Sequence, residues 1–163
     1  MASLLPQFQW IYLSLPPRNF TWKIRGNSLL WAQSKRELLE QHYDLLLATS
    51  MVDLASLRRF IPSLGSIPSI VYFHENQVEY PIDNERKERK SIDNIEPKLV
   101  PIYSALCADK ILFNSNFNRD SFLKGSGNFL ENYQTKYQKQ PRKNCIRARC
   151  WLFLSDSRKF SIS

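Results

Sequence analysis

Apolar residues in this chain come in short unbroken runs, each followed by a polar cluster and then by a stretch with helical spacing. Four such runs stand out: Phe8 to Ser14, Tyr43 to Thr49, Ile70 to His74 and Lys110 to Phe113. A run without apolar–polar alternation predicts a strand buried on both faces, as in a parallel sheet flanked by helices. Between the runs, Asn27 or Ser28 is placed to cap a helix reaching about His42, with Leu29, Leu30, Trp31, Leu38 and Leu39 as its buried set. Ser50 and Asp53 have the spacing of a capping box for a short helix over about 52–60, which stops before Pro62. Leu99, Ile102, Tyr103 and Leu106 share one face of a helix from Glu96 to Cys107, and a last helix runs from Asn116 to Lys124, where Gly125 is expected to end it. Strand and helix alternate at the spacing of βαβ units. The expectation is a doubly wound, mostly parallel α/β fold, an incomplete Rossmann-like domain over residues 8–128. Ile82 to Asn94 is densely charged and reads as an exposed loop, and residues 129–163 lack any period and read as a disordered basic tail outside the domain.

Charge changes this picture only at one end. The net charge of +8 divides into +2 over residues 1–130 and +6 over 131–163, so the basicity belongs to the tail. A basic tail binds nucleic acid or acidic membranes electrostatically, and it is also what many solvated chain ends look like. The 3 cysteines make no metal-ligand pattern and leave an odd thiol, which suits a reducing compartment, the cytoplasm or also the nucleus. No run approaches the roughly 18 apolar residues of a membrane span, and no signal peptide is evident, so no membrane association is expected.

Ligands of open α/β sheets bind beyond the carboxyl ends of the strands. The third run meets that edge at His74-Glu75-Asn76-Gln77, four consecutive hydrogen-bonding side chains that include one of only 2 histidines. His74 and Glu75 are the catalytic candidates, because imidazole and carboxylate exchange protons or bind hydroxyls near neutral pH. Asn76 and Gln77 offer amide donors and acceptors suited to sugars or bases. His42, at a predicted helix end, reads as structural or solvated. Ser50, Asn114 and Ser115 lie at strand-to-helix turns, where free helix amides attract anions, although plain capping uses the same residues. Arg18, Lys23 and Arg25 interleave with Phe20 and Trp22, a mixture of cations and stacking rings that suits nucleic acid as well as ordinary loop anchoring. No glycine-rich phosphate loop and no metal-ligand spacing occurs.

Four segments together resemble a known family: Leu15-Pro-Pro-Arg with Trp22-Lys-Ile-Arg-Gly26, Asp44-Leu-Leu-Leu-Ala-Thr-Ser-Met-Val-Asp-Leu54, Tyr72-Phe-His-Glu-Asn-Gln-Val-Glu-Tyr-Pro81, and Phe113-Asn-Ser. The family is the tRNA-queuosine mannosyltransferases, group 1 retaining glycosyltransferases of two-domain GT-B architecture, and the resemblance covers about residues 9–130. It implies transfer of mannose from GDP-mannose to queuosine in the anticodon of cytoplasmic tRNA-Asp, with no cofactor or metal. It implies that His74 and its neighbours face a cleft where the sugar passes, and it makes Arg18, Trp22, Lys23 and Arg25 plausible tRNA contacts. Family members begin with a further strand–turn–helix unit and continue into a donor-binding domain, so a truncated form is expected here. Two alternatives stay open: a non-catalytic truncated isoform, and a small basic tRNA- or nucleic-acid-binding module driven by the tail.

Overall fold

The computed structural model describes residues 5–16, 20–79, 95–137 and 160–162, with the backbone alone for 20–23, 96, 133–137 and 160–162. Four parallel strands form one sheet in the order β1 (Leu46–Thr49), β2 (Ser69–Phe73), β3 (Lys110–Phe113) and β4 (Phe160–Ile162). Five helices accompany them among the described residues: α1 (Phe20–Ser34), α2 (Arg36–Leu39), α3 (Leu54–Phe60), α4 (Glu96–Cys107) and α5 (Asn116–Tyr137), with a 3-10 turn over Pro62–Gly65. The chain is thus a parallel α/β protein, as the spacing of its apolar runs predicts.

Register decides which side chains meet. Ala48, Val71 and Ile111 are mutual neighbours across the strands, as are Phe73 and Phe113. All point to one face, where they join Leu54 of α3, Ile102 and Ala105 of α4 and Phe122 of α5 in the main core. Phe73, Phe113 and Phe122 are fully buried, and their ring centroids lie 4.5 to 5.8 Å apart in tilted contacts. Each such side chain contributes roughly 1.5–3 kcal/mol by leaving water. Ile70, Tyr72 and Leu112 point the other way and stay half-buried. The expectation of strands sealed on both faces therefore holds for one face only among the described residues, because the helices of the main core all pack on that side. A second cluster joins Trp31 and Ala32 of α1, Leu39 of α2 and Leu57 of α3 with Ile61, Leu64 and Ile67.

Several local expectations are corrected. Phe8 to Ser14 is not a strand. It has no ladder partner among the described residues, and its rings pack on one another instead: the Trp10 ring centroid lies 6.1 Å from that of Phe8, edge to face, and 6.3 Å from that of Tyr12, stacked. The segment of cations and rings ahead of Asn27, which suits a loop in sequence, is helical from Phe20, so Asn27 and Ser28 sit inside α1, buried, rather than capping it. Their side chains reach across to the turn after β1. Asn27 Nδ2 donates to Met51 O and its Oδ1 accepts from the Asp53 amide, while Ser28 Oγ donates to Asp53 O at 2.6 Å. The helix after it also stops early, at Leu39. Asp53 is itself the N-cap of α3, accepting from the Ser56 amide and hydroxyl, so the box spacing from Ser50 marks no cap pair. Gly125 lies within α5, which crosses residue 128 and continues to Tyr137. The charged loop over 82–94 falls outside the described residues, as does most of the expected tail; β4, from that tail, pairs with β3 through Ile111, Leu112 and Phe113.

Candidate active site

Parallel register brings the carboxyl ends of three strands to one edge. Thr49 pairs with Tyr72, Tyr72 with Leu112, and Phe73 with Phe113, so Ser50, His74 and Asn114 leave the sheet side by side. There the chain turns three times: the Ser50 amide bonds Tyr72 O as the ladder would, whereas the turns after β2 and β3 are tied together by polar side chains.

His74 and Glu75 are the open part of this edge, with side chains 45% and 41% exposed. Nε2 of His74 lies 3.2 Å from Oε1 of Glu75, and the Tyr72 ring stacks near the imidazole at 6.4 Å between centroids. The backbone beneath the imidazole is held from the neighbouring turn. Asn114 Nδ2 donates to His74 O at 2.8 Å, and the Asn114 amide donates to Phe73 O at 3.3 Å. Asn118 Nδ2 also donates to Phe73 O, at 3.0 Å, and to Asn114 Oδ1 at 2.8 Å. Ser115 Oγ accepts from the Asn118 amide and so opens α5. Carbonyls that run past the last ladder bond thus find partners in amide side chains, as buried backbone groups must.

The loop after His74 is docked in the same manner. Asn76 Nδ2 donates to Ser121 Oγ on α5 at 3.0 Å, Asn76 Oδ1 accepts from the Val78 amide, and Val78 is buried in the main core. Gln77 is half-buried in this loop. Glu79 closes over α5 at Gly125, where a Cβ would run into its carboxylate.

Of the residues singled out in the sequence, His74, Glu75, Asn76, Gln77, Asn114 and Ser115 are brought together. Asn76, Asn114 and Ser115 spend hydrogen bonds on architecture. Ser50 shares the edge but is 1% exposed, and its hydroxyl has no hydrogen-bond partner among the described residues. Arg25 is on α1, with Nη1 3.1 Å from Oδ2 of the buried Asp53, which engages it in holding the turn after β1. Arg18 and the side chains of Trp22 and Lys23 lie outside the described residues. Asn118 and Ser121 carry the site without having been expected there. Asn118 bonds a carbonyl 45 residues earlier, which no local pattern announces; the only hint is its place three residues after the capping Ser115.

A groove of about 430 Å³ lies at the opposite edge of the sheet, lined by residues that include His42, Tyr43, Asp44 and Pro68. It sits where β1 and β2 begin, away from the strand ends that bind ligands in such folds. The candidate edge is therefore the one that carries His74. Among the described residues, no group of three His, Cys, Asp or Glu could hold a metal ion, and no helix is long and apolar enough to cross a membrane. An exposed imidazole paired with a carboxylate can donate to or accept from a hydroxyl or phosphate oxygen, and can move a proton near neutral pH.

Residues 1–154 match the family model described as tRNA-queuosine alpha-mannosyltransferase N-terminal. A Drosophila melanogaster protein named tRNA-queuosine alpha-mannosyltransferase is 36% identical over 137 residues, covering 84% of this chain and 34% of that protein. The chain spans about a third of the length of that relative. No solved structure matches it. On a family match that runs from residue 1 to residue 154, the chain belongs to the tRNA-queuosine alpha-mannosyltransferases, within the N-terminal part of that family.

Proposed function

We propose that this chain forms the acceptor side of an enzyme that transfers mannose from GDP-mannose to queuosine in the anticodon of cytoplasmic tRNA-Asp. The observation that carries the reading is the open His74–Glu75 pair at the carboxyl edge of the parallel sheet, on a backbone clamped by Asn114 and Asn118. In this reading a hydroxyl of the queuosine cyclopentene-diol attacks C1 of mannose as the bond from C1 to phosphate breaks. GDP leaves with the electron pair, and the hydroxyl proton passes to the departing phosphate oxygen with His74 as the acid–base group beside it. His74 faces the transferred sugar or its phosphate, and Glu75 holds the imidazole in orientation. Gln77 is half-buried in the same loop, and in this reading it binds hydroxyls of either substrate. A donor-binding domain of GT-B type supplies the other wall of the cleft.

The test joins residues 1–154 to the C-terminal two thirds of the Drosophila relative and follows labelled mannose into queuosine-containing tRNA. His74→Ala should lower transfer by about 10²- to 10⁴-fold, the usual worth of an acid–base group, with the chimera still folded. Full transfer by His74→Ala, or equal transfer to tRNA lacking queuosine, would remove the reading.

A further inference from the structure

Phe117 is the outlier of the site. It is 83% exposed, far more than any other exposed large hydrophobic side chain among the described residues. It stands in the first turn of α5, three residues after Asn114 and next to Asn118, whose side chain turns inward to the Phe73 carbonyl. Helical side chains lean back toward the helix N-terminus. The ring therefore leans toward the turn that carries Asn114, whose amide holds His74 O.

We infer that Phe117 is a stacking platform for a nucleobase beside the modified nucleoside, an inference that rests on the reading of this edge as the acceptor side. Single-stranded RNA is recognised by splaying bases onto aromatic faces while polar side chains read their edges. Phe117 meets both requirements. Its neighbours along the chain are Asn114, Ser115, Asn116, Asn118, Arg119 and Asp120, and no other large hydrophobic residue of α5 is strongly exposed among the described residues. A protein interface would call for a contiguous apolar patch with this ring at its centre. A lone ring in an amide-rich surround fits a flat base with hydrogen-bonding edges. The capped start of α5 holds its backbone still, since Ser115 Oγ accepts from the Asn118 amide and Asn118 is anchored on β2.

The test measures binding of the full chain to a queuosine-containing tRNA-Asp anticodon stem-loop, and to the same stem-loop with an abasic nucleotide at each anticodon-loop position next to queuosine. Phe117→Ala should weaken binding of the intact stem-loop about tenfold or more, Phe117→Leu should weaken it similarly, and Phe117→Trp should restore it. One abasic stem-loop should bind the original chain about tenfold more weakly yet cost Phe117→Ala nothing further, the signature of a shared interaction. All three variants should melt with the original chain, because the ring is at the surface. Phe117→Ala or Phe117→Leu binding as tightly as the original would overturn the inference. So would an abasic penalty of the same size in every variant, which would assign the ring to another contact, such as one with the rest of the enzyme. If the unaltered chain ignores queuosine, the proposed function fails instead, and this inference falls with it.

Discussion

At the scale of single residues, Asn118 does more than its neighbours. Its Nδ2 is shared between Phe73 O and Asn114 Oδ1, and the residue is 6% exposed. Asn118→Asp keeps the shape but replaces both N–H donors with an acceptor that faces two other acceptors. Leaving a buried carbonyl short of its donor costs about 1–3 kcal/mol. Urea unfolding at neutral pH should register a loss of that size, partly recovered in acid, where a protonated carboxyl can donate again. A neutral-pH midpoint equal to that of the original chain would mean that the Asn114 amide alone suffices for Phe73 O. Ser50 has a buried hydroxyl with no partner among the described residues, as has the Oδ1 of Asn118 itself. The serine side chain is sealed beneath the site rather than presented to a substrate.

At the scale of elements, α5 departs furthest from expectation and shows why. Gly125 has the usual signature of a helix end, yet the helix passes through it to Tyr137. The glycine is explained by a neighbour: Glu79, arriving from the loop after β2, lies where a Cβ would be. A glycine inside a helix costs about 1 kcal/mol relative to alanine. The obstructing atoms are Oε1, Cδ and Cγ of one flexible, exposed side chain, so Gly125→Ala should swing the whole Glu79 side chain from Cγ outward into solvent and stabilise the chain by up to about 1 kcal/mol. Thermal melting checks this, and a lower melting temperature would show that the Glu79 seat outweighs helix propensity. The same contrast between local and distant causes separates what was legible from what was not. The bounds of α4 and β3 could be read to the residue, because Pro97 opens one and four apolar-rich residues make the other, but the face of α4 could not: Ile102 is buried as expected, yet Tyr103 is exposed and Val100, Ser104 and Ala105 take the core side. The start of α1 could not, because Asn27 and Ser28 carry the chemistry of caps but spend it on a turn 24 to 26 residues away. The candidate site was legible at His74 and Glu75, where a polar cluster interrupts an apolar run. It was illegible at Asn118, a helix residue whose partner lies on β2, 45 residues earlier.

For the molecule as a whole, the two edges of the sheet have different duties. The carboxyl edge carries His74. The opposite edge is fastened by Asp109, whose Oδ2 accepts from the Ser69 amide and hydroxyl and from Arg58 Nη2, while Arg58 also donates to the carbonyls of Ile67 and Cys107. Partial burial pushes the Asp109 carboxyl up, but the hydrogen bonds from Ser69 and the hydrogen bond and charge of Arg58 outweigh it and hold the group below the ordinary carboxylate range. A depressed folded-state value means stability that is fully present above the unfolded value of about 3.9. It is lost as pH falls through the folded value. Asp109→Asn should therefore lower stability at neutral pH by no more than about 1 kcal/mol, since the carboxylate is largely solvated. It should also flatten the decline below about pH 4. Equal acid profiles for the two chains, followed by circular dichroism, would place the acid sensitivity elsewhere. The Asn118 clamp has one more consequence, for observation rather than stability. Both protons of a single side-chain NH2 are engaged, one on a strand carbonyl and one on a neighbouring amide oxygen. That group should give a pair of separated, slowly exchanging NMR resonances, a built-in reporter whose frequencies move when anything settles against the strand edge beneath His74.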